Sequence, residues 1–520
     1  MIRKSIFLVF LSCISFAIQA QKRPNIVLII SDDHSYQTIS AYGSRLIKTP
    51  GIDRIAQEGA RFDHAYVTNS ICGPSRAVIV TGKYSHKNGF KDNETSHFDA
   101  SQRTFVSELT HNGYQTALIG KWHLGDQPQG FSYFKIFPGM GQYYNPDFIN
   151  MDGSRVRVEG YGTTLAEDFA EEWLDGRDTT KPFCLILGQK GVHRTWVPDI
   201  QDFGKFDSVV FPIPPTFYDD YSGRKAAAVQ DMTIEKTLQM GYDLKMFDSA
   251  AQKDKMGYIA RMNPAQRAAF DAYYDPIYAD LKSRQLSGRA LTEWKFQHYM
   301  RDYLSSVLSL DRNIERTLNY LDAHNLTDNT IVIYLSDQGF YMGEHGWFDK
   351  RWMYEESFRT PIVIRYPGVV KPGSVHNDFI LNLDIGPTLL EAAGLKIPDD
   401  MQGTSFLPIL KGEKTGWRDA MYYHYYENGE HSVSPHFGVR TERYKLIRFY
   451  KRVDSWELYD LKKDPNEMHN IFGQKGTRKI TSKMMQKLMD LIIKYDDKEA
   501  MQIFKTLIHK DPAPTSKPLP

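Results

Sequence analysis

The chain contains 520 residues, its 64 Lys and Arg residues nearly balance 63 Asp and Glu residues, and 41% of it is hydrophobic. This ordinary globular composition argues against disorder, collagen-like repeats and a protein with many membrane spans, and the balanced charge gives no reason to expect nucleic-acid binding. The length exceeds what one hydrophobic core usually supports, so we expect one large domain and a smaller one.

The first 20 residues have the pattern of a secretory signal peptide. Arg3 and Lys4 give a charged start, an apolar run extends from Ile6 to Ile18, and the stretch ends at Gln19-Ala20. A run this short favours a cleaved signal over a stable membrane span. We therefore expect an exported protein, periplasmic or secreted. Cys13 lies midway along the apolar run, which makes a lipoprotein anchor the less favoured alternative.

Four short apolar runs each lead into polar side chains. Such runs are typical of strands that helices cover on both faces of a parallel sheet. In open α/β sheets, sites form beyond the carboxyl ends of the strands. We therefore expect the side chains that follow these runs to meet at one edge of the sheet. The four runs are Asn25–Ile30, Thr116–Ile119, Phe183–Leu187 and Ile331–Leu335.

Helices are expected between the strands. The sequence Thr49-Pro50-Gly51 is a helix-start signal and predicts a helix over Ile52–Glu58. Residues 263–325 are helical in character, because apolar residues from Tyr303 to Leu321 recur at spacings of three and four. Residues 200–262 are rich in Lys, Asp, Met, Tyr and Pro and resemble an insertion of loops and short helices.

The sequence pattern changes after Gly394. Short β-prone runs at 422–426, 437–440, 444–449 and 457–461 predict a small antiparallel sheet, on which a helix over 480–495 would pack. The Pro- and Lys-rich end from Asp511 predicts a loose tail. The expected organisation is a signal peptide at 1–20, a large α/β domain at 21–410, an α+β subdomain at 411–505 and a tail at 506–520.

The polar strand ends include a set of oxygen ligands. Asp32 and Asp33 follow the first run, and Asp337 and the Gln338 amide follow the fourth. Three carboxylates at one edge would repel each other unless a cation lay between them. Any one of these aspartates alone would be interpreted as a cap or turn residue. As a set they predict a site for Ca²⁺ or Mg²⁺, because hard cations prefer oxygen ligands.

Two cysteines remain after the signal peptide. Cys184 lies in an apolar run and is expected to be an inert core thiol. Cys72 lies in Cys72-Gly73-Pro74-Ser75-Arg76, a pattern typical of a turn that leads into a helix. An exported protein could join the two in a disulfide, but these surroundings argue against it.

The segment Cys72-Gly73-Pro74-Ser75-Arg76, followed by Thr81-Gly82, resembles the Cys-x-Pro-Ser-Arg signature of the type I sulfatases of the alkaline phosphatase superfamily. Asp32-Asp33 before it, and Gly120-Lys121-Trp122-His123 and Ser336-Asp337-Gln338-Gly339 after it, strengthen the match. The resemblance covers residues 25–368 and continues more weakly to 470. It implies an α/β fold with a mostly parallel, alkaline-phosphatase-like sheet flanked by helices. It also implies a catalytic domain at 21–410 and a smaller C-terminal antiparallel-sheet subdomain.

The resemblance implies that Cys72 is oxidised to formylglycine by a formylglycine-generating, sulfatase-maturing enzyme. In the family the hydrated aldehyde carries two hydroxyl groups on one carbon. One of them, held against a single Ca²⁺, attacks sulfur, and the other then loses its proton and expels sulfate. A covalent intermediate of this kind divides a difficult hydrolysis into two easier steps. The implied metal ligands are residue 72 with Asp32, Asp33, Asp337 and Gln338.

The same resemblance implies a set of cations around the sulfate. Pro74 would open a helix whose N-terminal amide groups favour an anion. Arg76 would steady the geminal diol, and Lys121 and Lys350 would join it in neutralising charge on the sulfate oxygens. Lys350 lies in Gly346-Trp347-Phe348-Asp349-Lys350-Arg351, which follows the metal motif at the family spacing.

Two histidines are the candidate acid–base groups. By the resemblance, His123 contacts residue 72 and is the base for sulfate release, whereas His193 and Lys350 supply a proton to the leaving oxygen. Two positions depart from the family pattern. Many members carry Asn or His where this chain has Gln338, and the segment around His193 lacks the more frequent His-x-Pro form.

The segment Asp337–Pro367 resembles carbohydrate sulfatases, especially the N-acetylglucosamine-6-sulfatase group. In such enzymes the neighbours of the catalytic lysine contact hydroxyl groups of the terminal sugar. Asp349 and Arg351 are therefore candidate substrate contacts through charge-assisted hydrogen bonds, with a surface ion pair as the alternative. The smaller subdomain is expected to close the pocket, with His436 and Arg440 as further candidate contacts.

These features predict a Ca²⁺- and formylglycine-dependent sulfatase whose substrate is a sulfated saccharide. The expected reaction is exo-acting 6-O-desulfation of glucosamine or N-acetylglucosamine in glycosaminoglycans or mucin glycans. Two alternatives remain open at this point. One is a phosphonate monoester or phosphodiester hydrolase of the same superfamily. The other is a non-catalytic sulfated-glycan-binding protein in which Cys72 stays unconverted.

Overall fold

The structure is a computed structural model that describes residues 23–413 and 416–508, without the side chains of 506–508. The expected signal peptide, with Cys13, and the tail from residue 509 onward lie outside the described residues. The strands are β1 (Asn25–Ser31), β2 (Ala60–Phe62), β3 (Ala65–Tyr66), β4 (Gln115–Lys121), β5 (Tyr133–Phe137), β6 (Asp147–Ile149), β7 (Arg155–Arg157), β8 (Phe183–Gly188), β9 (Thr330–Ser336), β10 (Ile362–Arg365), β11 (Ser374–His376), β12 (Ile380–Leu381), β13 (Ala420–Tyr425), β14 (His436–Thr441), β15 (Tyr444–Phe449) and β16 (Ser455–Asp460).

Helices cover the sheet and link its strands. The helices are α1 (Pro50–Gln57), α2 (Cys72–Thr81), α3 (Ser85–Asn88), α4 (Phe105–His111), α5 (Gly162–Asp175), α6 (Lys225–Val229), α7 (Ala250–Asp254), α8 (Gly257–Ala260), α9 (Pro264–Arg284), α10 (Gly288–Ala323), α11 (Glu355–Phe358), α12 (Ile385–Ala392), α13 (Leu407–Leu410), α14 (Arg478–Tyr495) and α15 (Lys498–Ile508). The region 200–262 contains only short helices, as expected of an insertion, and the long helical stretch after it is confirmed as α9 and α10.

A ten-stranded sheet in the order β11-β2-β10-β9-β1-β8-β4-β5-β6-β7 forms the centre of the fold. Strands β9, β1, β8, β4 and β5 are parallel neighbours, and antiparallel strands lie towards both edges. The four strands expected from the apolar runs are therefore confirmed as adjacent members of one sheet. Their ends are in register, because Ser31 pairs with Ser336 and Gly188 pairs with both Ile30 and Gly120.

Each central strand is buried on both faces. In β1, Val27 and Ile29 pack into the core under α5 and α10, whereas Ile26, Leu28 and Ile30 pack into the core under α4 and α12. Alternating side chains of one strand thus fill two separate cores, which is why these runs are continuously apolar. This burial fixes the strand register, because a shift of one residue would exchange the two faces.

The C-terminal part contains a separate antiparallel sheet in the order β13-β14-β15-β16, and α14 packs on it. This confirms the small sheet and helix predicted after Gly394. The proposed domain limits at 410 and 505 stay predictions. Cys72 and Cys184 are both buried free thiols, so the argument against a disulfide between them is confirmed. Within residues 23–413 and 416–508, no helix has the length and apolar character needed to cross a membrane.

The close approach of β4 and β8 generates a stability prediction. A Cβ added at Gly188 would lie 2.0 Å from the Lys121 carbonyl oxygen, so the backbone of β4 would have to move. We expect Gly188→Ala to lower the free energy of unfolding by about 1–3 kcal/mol, the usual cost of overpacking. Urea-induced unfolding measures the change.

Gly257→Ala is the matched control, because nothing lies within 4 Å of a Cβ added there. We expect it to change the free energy of unfolding by less than about 0.5 kcal/mol. Equal effects of the two substitutions would contradict the close packing of these strand ends.

Candidate active site

Three aspartates from two neighbouring strand ends form an acidic centre. Asp32 and Asp33 directly follow β1, and Asp337 directly follows β9. One carboxylate oxygen from each lies within 4.8 Å of the others, and all three residues are completely buried. The sequence-based expectation that these residues converge therefore agrees with the geometry, and the register of β1 and β9 is its cause.

Each of these carboxylates has its own cationic partner. The Lys121 ammonium group contacts Asp32, Lys350 Nζ lies 2.7 Å from an oxygen of Asp33, and Arg76 Nε donates to Asp337 at 2.8 Å. Arg76 also donates to the carbonyl oxygens of Lys121 and Ser31, at 3.1 and 3.4 Å. This one-to-one pairing compensates three buried negative charges, which alone would be very costly to bury. The partners are Asp32 with Lys121, Asp33 with Lys350, and Asp337 with Arg76.

Two oxygen atoms at the acidic centre have no hydrogen-bond partner among the described residues. They are Oδ1 of Asp32 and Oε1 of Gln338, and both are buried. The Gln338 amide nitrogen donates to Asp33 at 2.5 Å, which holds this side chain against the carboxylates. Unpartnered oxygen atoms beside three carboxylates fit a hard divalent cation, which takes six or more oxygen ligands.

Burial and mutual repulsion perturb the carboxylates. Burial raises the pKa of Asp33 to about 7, with repulsion from Asp32 and Asp337 adding to it, and raises the pKa of Asp337 to about 6. Burial acts on Asp32 in the same direction, but Lys121 and His193 outweigh it and hold the pKa of Asp32 well below its usual range. The three carboxylates therefore compete for protons, and a cation between them would favour the ionised form of all three.

Cys72 lies beside the acidic centre. Its sulfur, one oxygen of Asp32 and one ring nitrogen of His193 all lie within 4.8 Å of one another. The sulfur also accepts a hydrogen bond of 3.5 Å from the Asn93 amide. In a converted protein, the formylglycine oxygen would take the place of this sulfur. Burial is the main reason that the pKa of the Cys72 thiol is raised, which makes the unmodified thiol a poor nucleophile.

Helix α2 fixes Cys72 relative to the acidic centre. The helix begins at Cys72 itself, so Pro74 lies two residues inside it; the expectation that Pro74 opens the helix is corrected. The Ser75 hydroxyl donates to the Asp337 carbonyl oxygen, and Asn382 donates to that hydroxyl at 2.9 Å. These contacts tie the first turn of α2 to the end of β9.

The two candidate histidines differ in their hydrogen bonds. His193 Nδ1 lies 2.5 Å from the Arg194 carbonyl oxygen, which can only accept, so Nδ1 carries the proton and Nε2 faces Asp33 at 3.7 Å. His123 is half-buried at the end of the Gly120–His123 segment, and its buried Nδ1 has no hydrogen-bond partner in the part of the chain that the structure describes. Burial is the main reason that the pKa values of both rings are lowered, so both rings favour the neutral form.

Several site residues adopt left-handed backbone conformations. The φ angles are 60° at Asp33, 61° at His123, 78° at Asp349 and 84° at Arg351. Holding a non-glycine residue in such a conformation typically costs about 1–3 kcal/mol. Four such residues at one site are a signal that no sequence pattern reveals.

Asp349 and Arg351 flank Lys350 and bind each other. Arg351 Nε donates to Asp349 at 2.8 Å, and Arg351 also contacts Glu427 and the Tyr425 hydroxyl. His431 lies 3.4 Å from Asp349, and the other oxygen of Glu427 accepts from the backbone N–H of Asn93 at 3.2 Å. The pair is therefore built into the site and is not a surface ion pair, the alternative considered above.

The structure corrects two candidate substrate contacts. His436 is completely buried among Trp352, Tyr423, Tyr425 and Phe449, so it presents no surface to a ligand. Arg440 pairs with Glu355 and helps to line a different cavity, of about 540 Å³, whose lining contains none of the residues around Cys72. Residues of one strand face alternate sides, and the sequence does not tell which side meets the site.

Sequence reasoning missed several groups around Cys72 and Asp349. They become neighbours only through loops that lie far apart in the chain. The signals were weak: Lys190 and Arg194 flank the segment that contains His193, and the remaining residues have no recognisable motif. The missed residues are Asn93, Lys190, Arg194, Tyr425, Glu427 and His431.

Comparison with known proteins gives two family matches. Residues 24–395 match the family described as Sulfatase, and residues 343–494 match the family described as N-sulphoglucosamine sulphohydrolase, C-terminal. The chain is 47% identical over 501 residues to an N-acetylglucosamine-6-O-sulfatase of Bacteroides thetaiotaomicron. The aligned region covers 94% of this chain and 89% of that protein.

Solved structures give a consistent result. One structure, described as a complex with its substrate D-glucosamine-2-N,6-O-disulfate, has a TM-score of 0.89 and 47% identity and covers 92% of this chain and 99% of that chain. A phosphonate monoester hydrolase of Agrobacterium radiobacter has a TM-score of 0.67 at 21% identity and covers 91% of this chain and 96% of that chain. The second likeness shows the fold alone.

The acidic centre predicts stabilisation by a divalent cation. A ligand that binds only the folded state stabilises it by mass action, by about 2.7 kcal/mol at 100 times its Kd. We expect Ca²⁺ to raise the melting temperature of chelator-treated protein and expect Asp33→Asn to lose most of that rise. Differential scanning fluorimetry with Ca²⁺ and, in parallel, Mg²⁺ measures the effect.

Asp271→Asn is the control, because Asp271 is a partly exposed acid paired with Lys253 and Arg267. It should retain the full response to Ca²⁺. A wild-type protein whose melting temperature does not respond to either cation would argue against a metal site here.

Proposed function

This chain belongs to the sulfatase family, and we propose that it is a sulfuric ester hydrolase that removes the 6-O-sulfate of glucosamine or N-acetylglucosamine in sulfated glycans. The observation that carries the proposal is the meeting of Cys72, Asp32 and His193 within 4.8 Å, beside three buried carboxylates. The 47% identical relative named for the same 6-O-sulfatase activity supports the choice of sugar and position.

The proposed reaction converts a sugar sulfate ester and water into the sugar alcohol and sulfate, with release of one proton. We propose that Cys72 is present as formylglycine and that Asp32, Asp33, Asp337 and Gln338, together with residue 72, hold one Ca²⁺. When present, these two groups would supply a geminal diol as nucleophile and a Lewis acid that polarises the sulfate oxygens. The donor set fits the cation because Asp32, Asp33, Asp337 and Gln338 all offer oxygen atoms.

The chain's own cations bind and orient the sulfate group. Lys121, Lys350 and Arg76 all lie around the acidic centre, within contact of its carboxylates. They are positioned before substrate arrives, so they can offset the charge that develops on sulfate oxygens without reorganising. Lys350 is well suited to this role, because Asp33 and Asp349 outweigh its burial and raise the pKa of its ammonium group, which keeps it charged.

The histidines hold the protons that the reaction moves. His193 carries its proton on Nδ1, so its Nε2 must take up a proton before it can donate one to the leaving sugar oxygen. His123 has a free buried ring nitrogen and is the proposed acceptor of the proton lost when sulfate is expelled. Both assignments are proposals that rest on position and on the family resemblance.

Sugar recognition is proposed to involve Asp349 and Arg351. Their mutual hydrogen bond and the contacts with Glu427 and His431 hold both charged groups in fixed directions beside Lys350. Groups fixed in this way bind hydroxyl oxygens with little further loss of side-chain entropy.

The likeness to a phosphonate monoester hydrolase concerns the fold alone, so it does not favour that alternative activity.

Maturation and export complete the proposal. We propose that a formylglycine-generating enzyme converts Cys72 and that the first 20 residues direct the chain to the periplasm or out of the cell. The burial of Cys72 implies that the maturing enzyme acts before α2 docks on the sheet, because the folded protein exposes only 3% of this residue.

The proposed conversion of residue 72 can be tested directly. Mass spectrometry of the Cys72 peptide from the native host should detect formylglycine, 18 Da lighter than Cys, because conversion of the thiol to an aldehyde changes the side chain from CH₂SH to CHO. Cys72→Ala should abolish turnover but leave the melting temperature nearly unchanged. An intact Cys72 thiol in active protein would contradict the formylglycine mechanism. An intact Cys72 thiol in inactive protein would favour the alternative of a non-catalytic glycan-binding protein.

The proposed role of Asp349 in sugar recognition can be tested by substitution. Asp349→Asn should reduce kcat/KM on N-acetylglucosamine-6-sulfate by about 10- to 100-fold, since hydrogen bonds to charged groups contribute about 1.5–3 kcal/mol. Its effect on a small aryl sulfate should be much smaller, because that substrate has no sugar hydroxyl groups. Steady-state kinetics on both substrates measures the difference.

Asp231→Asn is the matched control, because Asp231 is an exposed acid 3.5 Å from the same His431. It should leave both rates within about twofold of wild type. Equal losses on sugar and aryl sulfates in Asp349→Asn would defeat the assignment of Asp349 to sugar recognition.

A further inference from the structure

Lys190 is a buried cation close to the acidic centre. The residue is only 5% exposed, and its ammonium group has one hydrogen bond, to the Met140 carbonyl oxygen at 3.3 Å. The same nitrogen lies 4.9 Å from the centre of the Tyr143 ring. Within the described residues, no carboxylate forms an ion pair with it. Two of its three N–H groups therefore have no acceptor in the described part of the chain.

This arrangement is costly for folding. Moving an ammonium group out of water carries a penalty that a single neutral carbonyl oxygen and an aromatic ring repay only in part. The cost appears in the pKa of Lys190, which burial lowers from its usual value to about 8. The other cations of the site each contact a carboxylate, so among the described residues Lys190 is the cation of the site that lacks a carboxylate partner.

The backbone around Lys190 is locked to the acidic centre. The Asp32 N–H donates to the Gly191 carbonyl oxygen at 3.1 Å, and the Asp32 carbonyl oxygen accepts from Val192 at 2.7 Å. On the other side, the Tyr143 hydroxyl donates to the His193 carbonyl oxygen at 2.5 Å. Lys190 thus lies between the Asp32–Asp33 segment that follows β1 and the 138–143 loop. Its charge interacts with Lys121, Asp32, Asp33 and Cys72.

We propose that Lys190 is a substrate-binding residue that donates to an anionic sulfate oxygen of the bound saccharide. The inference rests on the proposed function, since it assigns a further contact in the same site. Its physical basis is that a buried ammonium group with unused donors gains a strong charge-assisted partner only when an anion enters. The partner is a sulfate oxygen from one of two sources, the 6-O-sulfate that is cleaved or a second sulfate on the same sugar.

The experiment compares Lys190→Met, Lys190→Arg and a matched control, Lys295→Met, in the converted, cation-loaded enzyme. Lys295 is also buried and also contacts only carbonyl oxygens, those of Glu235 and Leu238 at 2.8 and 3.0 Å, but it uses two acceptors and lies on α10. Four quantities are measured for each protein. They are the kcat and KM on N-acetylglucosamine-6-sulfate and on N-sulfated glucosamine-6-sulfate, the inhibition constant for inorganic sulfate, and the melting temperature.

We expect Lys190→Met to lower kcat/KM by about tenfold or more, because it loses a hydrogen bond between charged groups. Its melting temperature should stay the same or rise, because an unpaired buried charge has been removed. Lys190→Arg should retain part of the lost kcat/KM, because it keeps the charge. Lys295→Met should lower the melting temperature and leave both the sulfate inhibition and the kcat/KM of the folded enzyme unchanged.

The two substrates distinguish the two sources of the sulfate oxygen. Equal losses on both substrates, with weaker inhibition by inorganic sulfate, would assign Lys190 to the 6-O-sulfate. A loss confined to the N-sulfated substrate, with unchanged inhibition by inorganic sulfate, would assign it to the second sulfate. Either result supports the proposal.

The proposal is overturned if Lys190→Met keeps kcat/KM within twofold on both substrates and keeps its sulfate inhibition. It is equally overturned if Lys190→Met fails to fold or loses melting temperature like Lys295→Met, because the ammonium group would then serve the fold. A wild-type enzyme inactive on both substrates would instead contradict the proposed function. In that case the protection of wild type and Lys190→Met by inorganic sulfate in thermal unfolding still tests the anion contact.

Discussion

Three fully buried carboxylates at one edge of the sheet impose the constraint on which the rest of the site depends. Such a group of like charges is stable only when cations approach it from several directions. Arg76 comes from α2, Lys121 from β4 and Lys350 from the loop after β9, so neutralising the acids brings three distant segments together. In the proposed function the same contacts place these cations around the sulfate group, so one electrostatic requirement would serve both folding and substrate binding.

The fold meets this requirement through strand register and close backbone packing. Gly120 has a φ of 91°, and a Cβ there would lie 2.2 Å from the Gly188 carbonyl oxygen, so only glycine lets β4 and β8 end side by side. Beyond these ends the chain adopts left-handed conformations at Asp33 and His123. The well-packed sheet below them supplies the stability that offsets such local strain.

The sugar side of the site is assembled from parts that are far apart in sequence. One oxygen of Glu427 contacts Arg351, and the other accepts from the backbone of Asn93, whose side chain donates to Cys72. Through this network the C-terminal part of the chain connects Cys72, the proposed nucleophile, with the groups proposed to hold the sugar. A shift of Glu427 would therefore affect sugar recognition and the surroundings of residue 72 together.

The sequence by itself determined the four central strands, the long helices, the C-terminal sheet, and which three aspartates meet at the edge of the sheet. It could do so because short, continuous apolar runs are typical of strands buried on both faces, and because polar residues that follow parallel strands share one edge of the sheet. Only the tertiary structure decided that Asn93, Lys190, Glu427 and His431 surround the site and that His436 and Arg440 do not. The physical reason is that these residues lie on loops or strand faces, whose orientation depends on long-range packing and on the pairing of buried charges, and neither leaves a local pattern in the chain.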